Sequence, residues 1–172
     1  ARTSGGRGAG VAVALLGQPN SGKSTLFNGL TGARQHVGNW PGKTVERKEG
    51  SFRIGDTQCR VVDLPGAYGL SANSPEEEVT RDHLESGDAD VVVVMADASQ
   101  LERSLYMLAE FAAAHPEQPS LLALNLMDVA EGQGKRIDSA LIEQRLGIPV
   151  VPLVASRPEG YGNLLCAIER TA

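Results

Sequence analysis

At 172 residues, with 41% hydrophobic and 22% charged side chains, the chain has the size and make-up of one globular domain with a sizeable core, which excludes a low-complexity or disordered polymer. The net charge of −5 argues against a broad nucleic-acid-binding face, and the two cysteines, Cys59 and Cys166, have no metal-like spacing and read as reduced thiols in a cytosolic setting. The longest unbroken apolar run, residues 91–96, is far short of the ~20 residues that a membrane-spanning helix needs.

Residues 1–10 are rich in Gly, Ser and Arg and read as a disordered lead-in or an engineered boundary, leaving 11–172 as the domain. Residues 11–17 form an apolar strand, and residues 23–31 a helix with Leu26, Phe27 and Leu30 on its inner face, stopped by Gly32. Between them lies Gly17-Gln18-Pro19-Asn20-Ser21-Gly22-Lys23-Ser24, with Thr25 behind it. This is the G-x-x-x-x-G-K-S pattern of a phosphate-binding loop, whose backbone N–H groups and helix N-terminus can ring a phosphate. Lys23 then reaches the β- and γ-phosphates and the Ser24 hydroxyl binds Mg²⁺.

Residues 33–44 show no period and contain Gly38, Pro41 and Gly42, which predicts a long functional loop. Residues 45–54 are polar enough for an edge strand, and 57–64 read as the returning strand of a hairpin across Gly55-Asp56. A second glycine-containing loop follows at 65–73. Ser74-Pro75-Glu76-Glu77 then starts a helix to about Ser86, with Ser74 as N-cap. The valine-rich run at 90–96 predicts a strand covered on both faces. Ser99 to Glu102 reads as a capping box for a helix carrying Leu101, Leu105, Leu108 and Ala112. After it come a strand at 119–125, a helix at 137–146 closed by Gly147, a strand at 149–154, and a helix at 161–171 with Leu164, Leu165 and Ile168 on one face. The alternation predicts an α/β domain: a mostly parallel six-stranded sheet with one antiparallel edge strand and helices on both faces.

In such a sheet the ligand sits at the carboxyl ends of the strands, where the suggestive residues fall. Asp63-Leu64-Pro65-Gly66 can hold Mg²⁺ through water with Asp63 and touch a γ-phosphate with the Gly66 N–H. Asn125-Leu126-Met127-Asp128 suits guanine, because a carboxylate accepts from both the N1–H and the 2-amino group, donors that adenine lacks. Ala155-Ser156 is placed to present a backbone N–H to the guanine carbonyl, and the Thr44 hydroxyl to complete the Mg²⁺ shell when a γ-phosphate is bound.

This series resembles the small, Ras-like P-loop GTPases. More narrowly, Val37-Gly38-Asn39-Trp40-Pro41-Gly42-Lys43-Thr44-Val45-Glu46 resembles the first switch of the ferrous iron transport protein B (FeoB) family, as do residues 17–24, 63–68 and 74–77. The resemblance covers roughly 11–170 and implies a G domain that hydrolyses GTP slowly to GDP and phosphate with Mg²⁺. It implies partnership with a helical and a membrane domain of the same full-length chain, at the cytoplasmic face of the bacterial inner membrane. It also implies potassium activation, with K⁺ held by Asn20 and by first-switch carbonyls of Gly38 and Trp40. The residues implied for catalysis are Asn20, Lys23, Thr44 and Gly66. Three departures stand out: Ala67 replaces a water-orienting glutamine, Leu126 replaces a lysine, and Ala155 replaces a serine found in some relatives. His36, His83 and His115 read as solvated or capping residues. Trp40 is placed to pack over the nucleotide, on another part of the assembly, or on its own domain. A nucleotide-gated interaction module and an RNA-associated GTPase are the competing readings, and self-association is left open.

Overall fold

The computed structural model describes residues 10–19, 21–66, 73–125, 127–134 and 136–172. Asn20, Ala67 and Leu126 therefore lie outside the described residues. The chain runs β1 (Gly10–Gly17), α1 (Lys23–Thr31), β2 (Gln35–Asn39), β3 (Glu46–Ile54), β4 (Thr57–Asp63), α2 (Pro75–Ser86), β5 (Val91–Asp97), α3 (Leu101–Ala114), β6 (Ser120–Asn125), α4 (Met127–Gly132), α5 (Ser139–Leu146), β7 (Val150–Pro152) and α6 (Gly162–Thr171).

The strands form one sheet in the order β2-β3-β4-β1-β5-β6-β7. Five of them, β4, β1, β5, β6 and β7, are mutually parallel, while β3 is antiparallel to both β2 and β4. The alternation of a covered strand divides β5 between two cores. Val91, Val93 and Met95 pack with Leu26, Phe27, Leu30, Leu164 and Ile168 on the side of α1 and α6. Val92, Val94 and Ala96 pack with Val79, Leu84, Met107, Leu108 and Phe111 on the side of α2 and α3. With helices holding both faces, the carboxyl ends of the parallel strands remain as the open edge. Register aligns Leu15 with Asp63, Gly17 with Met95, and Asp97 with Asn125 along that edge.

Three local features differ from the sequence expectation. Residues 35–39, expected within a loop, form strand β2 and bring the sheet to seven strands, so β3 is flanked rather than at the edge. All five residues of β2 are exposed, so cross-strand pairing with β3 shapes the segment rather than any apolar pattern of its own. The expected cap at Ser99 is supplied by Asp97 instead. Its carboxylate accepts from the Ser99 N–H at 2.8 Å and the Ser99 hydroxyl at 2.5 Å, capping a 3₁₀ turn at Ala98–Gln100 ahead of α3. Helix α5 starts at Ser139, capped by Asp138, whose carboxylate accepts from the Leu141 N–H at 3.1 Å. The Ser74 cap of α2 forms as expected, accepting from the Glu77 N–H at 3.1 Å.

Candidate functional site

The phosphate loop is a tight turn between a buried strand and a nine-residue helix. Gly22 adopts φ 90°, and a Cβ there would overlap the Asn125 side-chain amide, so only glycine fits this position. Among the described residues no side chain caps α1, and its first turn carries no acid, which suits its leading N–H groups to an anion. The Ser21 hydroxyl is buried with no hydrogen-bond partner among the described residues. Orphan donors, an unpartnered hydroxyl and a cradle that a Cβ would fill together suit a phosphate chain.

The pairing of β1 with β4 brings Lys23 onto Asp63. Lys23 Nζ forms an ion pair with Asp63 Oδ1 and donates to the Leu64 carbonyl at 2.6 Å, both residues being less than a tenth exposed. Ser24, Thr25 and Gly66 are exposed at the same edge. The Ser24 hydroxyl and the Asp63 carboxylate are the hard oxygen donors that Mg²⁺ takes, so this part of the donor set fits. Thr44 is exposed on the loop after β2.

Asn125, 1% exposed, ties two loops together. Its Nδ2 donates to the Ser21 carbonyl at 2.9 Å, and its Oδ1 accepts from the Ala155 N–H at 2.8 Å. The Asn125 amide is thus a brace between the phosphate loop and the 153–157 loop. Of the Ala155-Ser156 pair, expected to present a backbone N–H to the guanine carbonyl, the Ala155 N–H here donates to Asn125. Ser156 is exposed beside it. Asp128 is exposed in the first turn of α4, and the Met127 backbone opens that helix.

Trp40, for which three positions were open, packs on its own domain at 8% exposure, in the core beside Val45, Leu64 and Val79. Its ring meets the His83 ring edge-on at 5.4 Å, and the Arg47 guanidinium lies 4.6 Å from its centroid. Lys43 pairs with Glu78 of α2 at 3.2 Å. Burial pushes the His83 pKa below its ordinary value, with Asp88 opposing and Arg47 adding to the shift. The sequence offered only an unassigned tryptophan and a histidine without a metal pattern; His83, half-buried in the last turn of α2, packs on Trp40. Gly38 lies in β2 opposite Arg47, and the Trp40 carbonyl accepts from the Lys43 N–H at 3.0 Å. In this arrangement the Trp40 carbonyl is engaged in a turn rather than aimed at the phosphate loop. Among the described residues no group of three or more His, Cys, Asp and Glu side chains could hold a metal ion.

Two contacts had no signal in the sequence. Gln18 Nε2 donates to the Arg103 carbonyl at 3.0 Å, tying the phosphate loop to α3. The Tyr161 hydroxyl donates to the Ala155 carbonyl. A groove of about 1010 Å³ opens at the start of α3, lined in part by Leu101, Tyr106 and Ile137; Gln18 is the one residue of the phosphate loop among its described lining.

The family profile described as "Ferrous iron transport protein B" matches residues 11–168. The Fe(2+) transporter FeoB of Salmonella typhimurium (strain LT2) is 49% identical over 164 residues, which are 93% of this chain and 21% of that protein. The G domain of the T. maritima FeoB iron transporter superposes with a TM-score of 0.86 at 42% identity, over 94% of this chain and 98% of that one. The cytosolic domain of T. maritima FeoB in its GMPPNP form gives a TM-score of 0.87 at 43% identity, over 93% and 63% respectively. The chain thus spans about a fifth of the length of the curated relative that it matches.

Proposed function

The chain belongs to the ferrous iron transport protein B (FeoB) family and has the fold of its G domain, and from that premise we propose that it binds guanine nucleotide, hydrolyses GTP with Mg²⁺ and K⁺, and gates ferrous iron uptake by a longer chain. The observation that carries this reading is the convergence of Lys23, Asp63 and Asn125 on one phosphate loop.

Gly17 to Ser24, with Thr25, wrap the phosphates. Lys23 exchanges its contact with Asp63 for the β- and γ-phosphates and neutralises the charge that builds as the terminal bond breaks. Asp63, Ser24 and Thr44 would hold Mg²⁺; Asn20 with the Gly38 carbonyl, and the Trp40 carbonyl once its turn to Lys43 opens, would hold K⁺; the two cations would supply charge neutralisation along the phosphate chain. Gly66 offers its N–H to the γ-phosphate. Asp128 reads the guanine edge, Ser156 its carbonyl, and Asn125 braces both loops. With no glutamine after Gly66, backbone groups near Thr44 orient the attacking water.

Hydrolysis is expected to be slow in NaCl and faster in KCl, with Asn20→Ala losing the difference. Equal rates in the two salts would remove potassium from the mechanism, and tight ATP binding that GTP cannot displace would remove guanine. A second reading, a nucleotide-gated interaction module, is favoured by the packing of Trp40 on α2, which links two loop-bearing segments. It predicts that amide exchange in 33–44 and 66–73 differs between GDP and a GTP analogue.

The remaining parts of the proposal concern the whole protein. The helical and membrane domains follow in the same chain, and this domain works at the cytoplasmic face of the bacterial inner membrane. No helix among the described residues is long and apolar enough to cross a membrane.

A further inference from the structure

Tyr161 belongs to no nucleotide-binding motif, yet it ends a buried chain of hydrogen bonds that runs into the site. Its hydroxyl donates to the Ala155 carbonyl, the Ala155 N–H donates to Asn125 Oδ1 at 2.8 Å, and Asn125 Nδ2 donates to the Ser21 carbonyl at 2.9 Å. Tyr161, Ala155, Asn125 and Ser21 are 4%, 2%, 1% and 2% exposed, so water cannot readily replace a lost partner.

A second observation comes from the other side of the ring. Gly29 lies inside α1, where glycine is disfavoured relative to alanine. A Cβ at Gly29 would overlap the Tyr161 hydroxyl and lie 3.0 Å from two of its ring carbons. The phenol is therefore held between the α1 backbone and the 153–157 loop. Burial first, and Glu159 second, push its pKa up, which keeps the hydroxyl protonated as a donor.

We propose that Tyr161 is a positioning residue for nucleotide retention, fixing the loop that carries Ser156 and, through Ala155 and Asn125, bracing the phosphate loop. This rests on the guanine-nucleotide reading of the site. A mere core filler would need the ring and not the hydroxyl, so Tyr161→Phe separates the two roles.

In Tyr161→Phe, release of a fluorescent GDP analogue, followed by stopped flow, is expected to speed about tenfold, the scale of one lost buried hydrogen bond. Single-turnover GTP hydrolysis should stay within about twofold, because the hydroxyl touches neither phosphate nor Mg²⁺ ligands. In the nucleotide-free variant, amide exchange should quicken at Ala155 and around Ser21 but not in β5. Gly29→Ala should speed release from the other side, and the double variant should release no faster than the quicker single one. Unchanged release from Tyr161→Phe, in a protein whose parent binds GDP, would overturn the role of the tyrosine and leave the site intact. Faster release with exchange raised equally in β5 would mean general loosening and would overturn it too, as would additive effects of the two variants. A parent that binds no guanine nucleotide would overturn the site itself.

Discussion

At the scale of single residues, the Lys23–Asp63 pair decides how the loop rests. Both side chains are nearly buried, and among the described residues Lys23 adds one further acceptor, the Leu64 carbonyl. Removing one member of such a pair leaves the other charged and poorly solvated, at a cost of about 3 kcal/mol. Asp63→Ala is therefore expected to lower the unfolding free energy of the nucleotide-free domain by about that much in urea titration, and Lys23→Met similarly. The double variant should cost less than the sum, because the two act on one interaction. A loss below about 1 kcal/mol for either single variant would place the pair with solvated surface bridges instead. Lys23, like Gly22 and Ser24, was legible in the sequence because phosphate-loop chemistry is written in adjacent positions, and Asp63, 40 positions on, because it opens its own short motif at a strand end. The targets of Asn125 were not, since Ser21 and Ala155 lie 104 and 30 positions away and meet it only through the sheet.

Among elements, the segment from Trp40 to Val45 and helix α2 form a latch. The Trp40 N–H donates to the Val45 carbonyl at 2.9 Å and the Lys43 N–H to the Trp40 carbonyl at 3.0 Å, so the segment is a closed turn. Burying the indole contributes about 2–3 kcal/mol. The half-exposed Lys43–Glu78 bridge adds less than about 1 kcal/mol, so the tryptophan dominates. Against it stands the buried indole N–H, which has no partner among the described residues and costs about 1–3 kcal/mol. A near balance of this size is within reach of a ligand that favours one arrangement. Thr44 sits on this turn between Trp40 and Val45, so if it is drawn to Mg²⁺ as proposed, the turn is expected to open and release Trp40 from α2. Trp40 is the chain's single tryptophan, and its emission should shift to the red, with easier acrylamide quenching, when a GTP analogue and Mg²⁺ replace GDP. The same reporter should respond to pH. Burial depresses the His83 pKa in the latched form, against Asp88 and together with Arg47. Below the ordinary histidine value of about 6.5 the released form therefore binds a proton that the latched form refuses, and the latch weakens as pH falls. His83→Phe should keep the packing and flatten that response; a red shift on acidification that survives it would assign the effect elsewhere. None of this was legible in residues 33–44, because Gln35–Asn39 carries no alternation and Trp40 finds its pocket on an element 35 or more positions downstream.

Across the whole molecule, the fold was readable where burial imposed a pattern. The valines of β5 announce a strand with two covered faces, and Leu164 with Ile168 announce the inner face of α6. What pattern could not supply was the antiparallel pairing of β2, which has no core residue of its own. The consequence is uneven anchorage. The five parallel strands carry the two cores and end in the phosphate and base loops, so a nucleotide that grips those loops binds the folded state and not the unfolded one. Such a ligand at a hundredfold excess over its Kd adds about 2.7 kcal/mol of stability. For a domain of 172 residues that converts to a rise in Tm of roughly 5–10 °C. GDP with Mg²⁺ should therefore raise Tm by this amount in calorimetry, while ADP with Mg²⁺ at the same concentration should leave it nearly unchanged. The two share their diphosphate and ribose, so the difference isolates the base contacts proposed for Asp128 and Ser156. Equal shifts would mean that the phosphate loop does all the binding and that the carboxyl end of β6 selects no base.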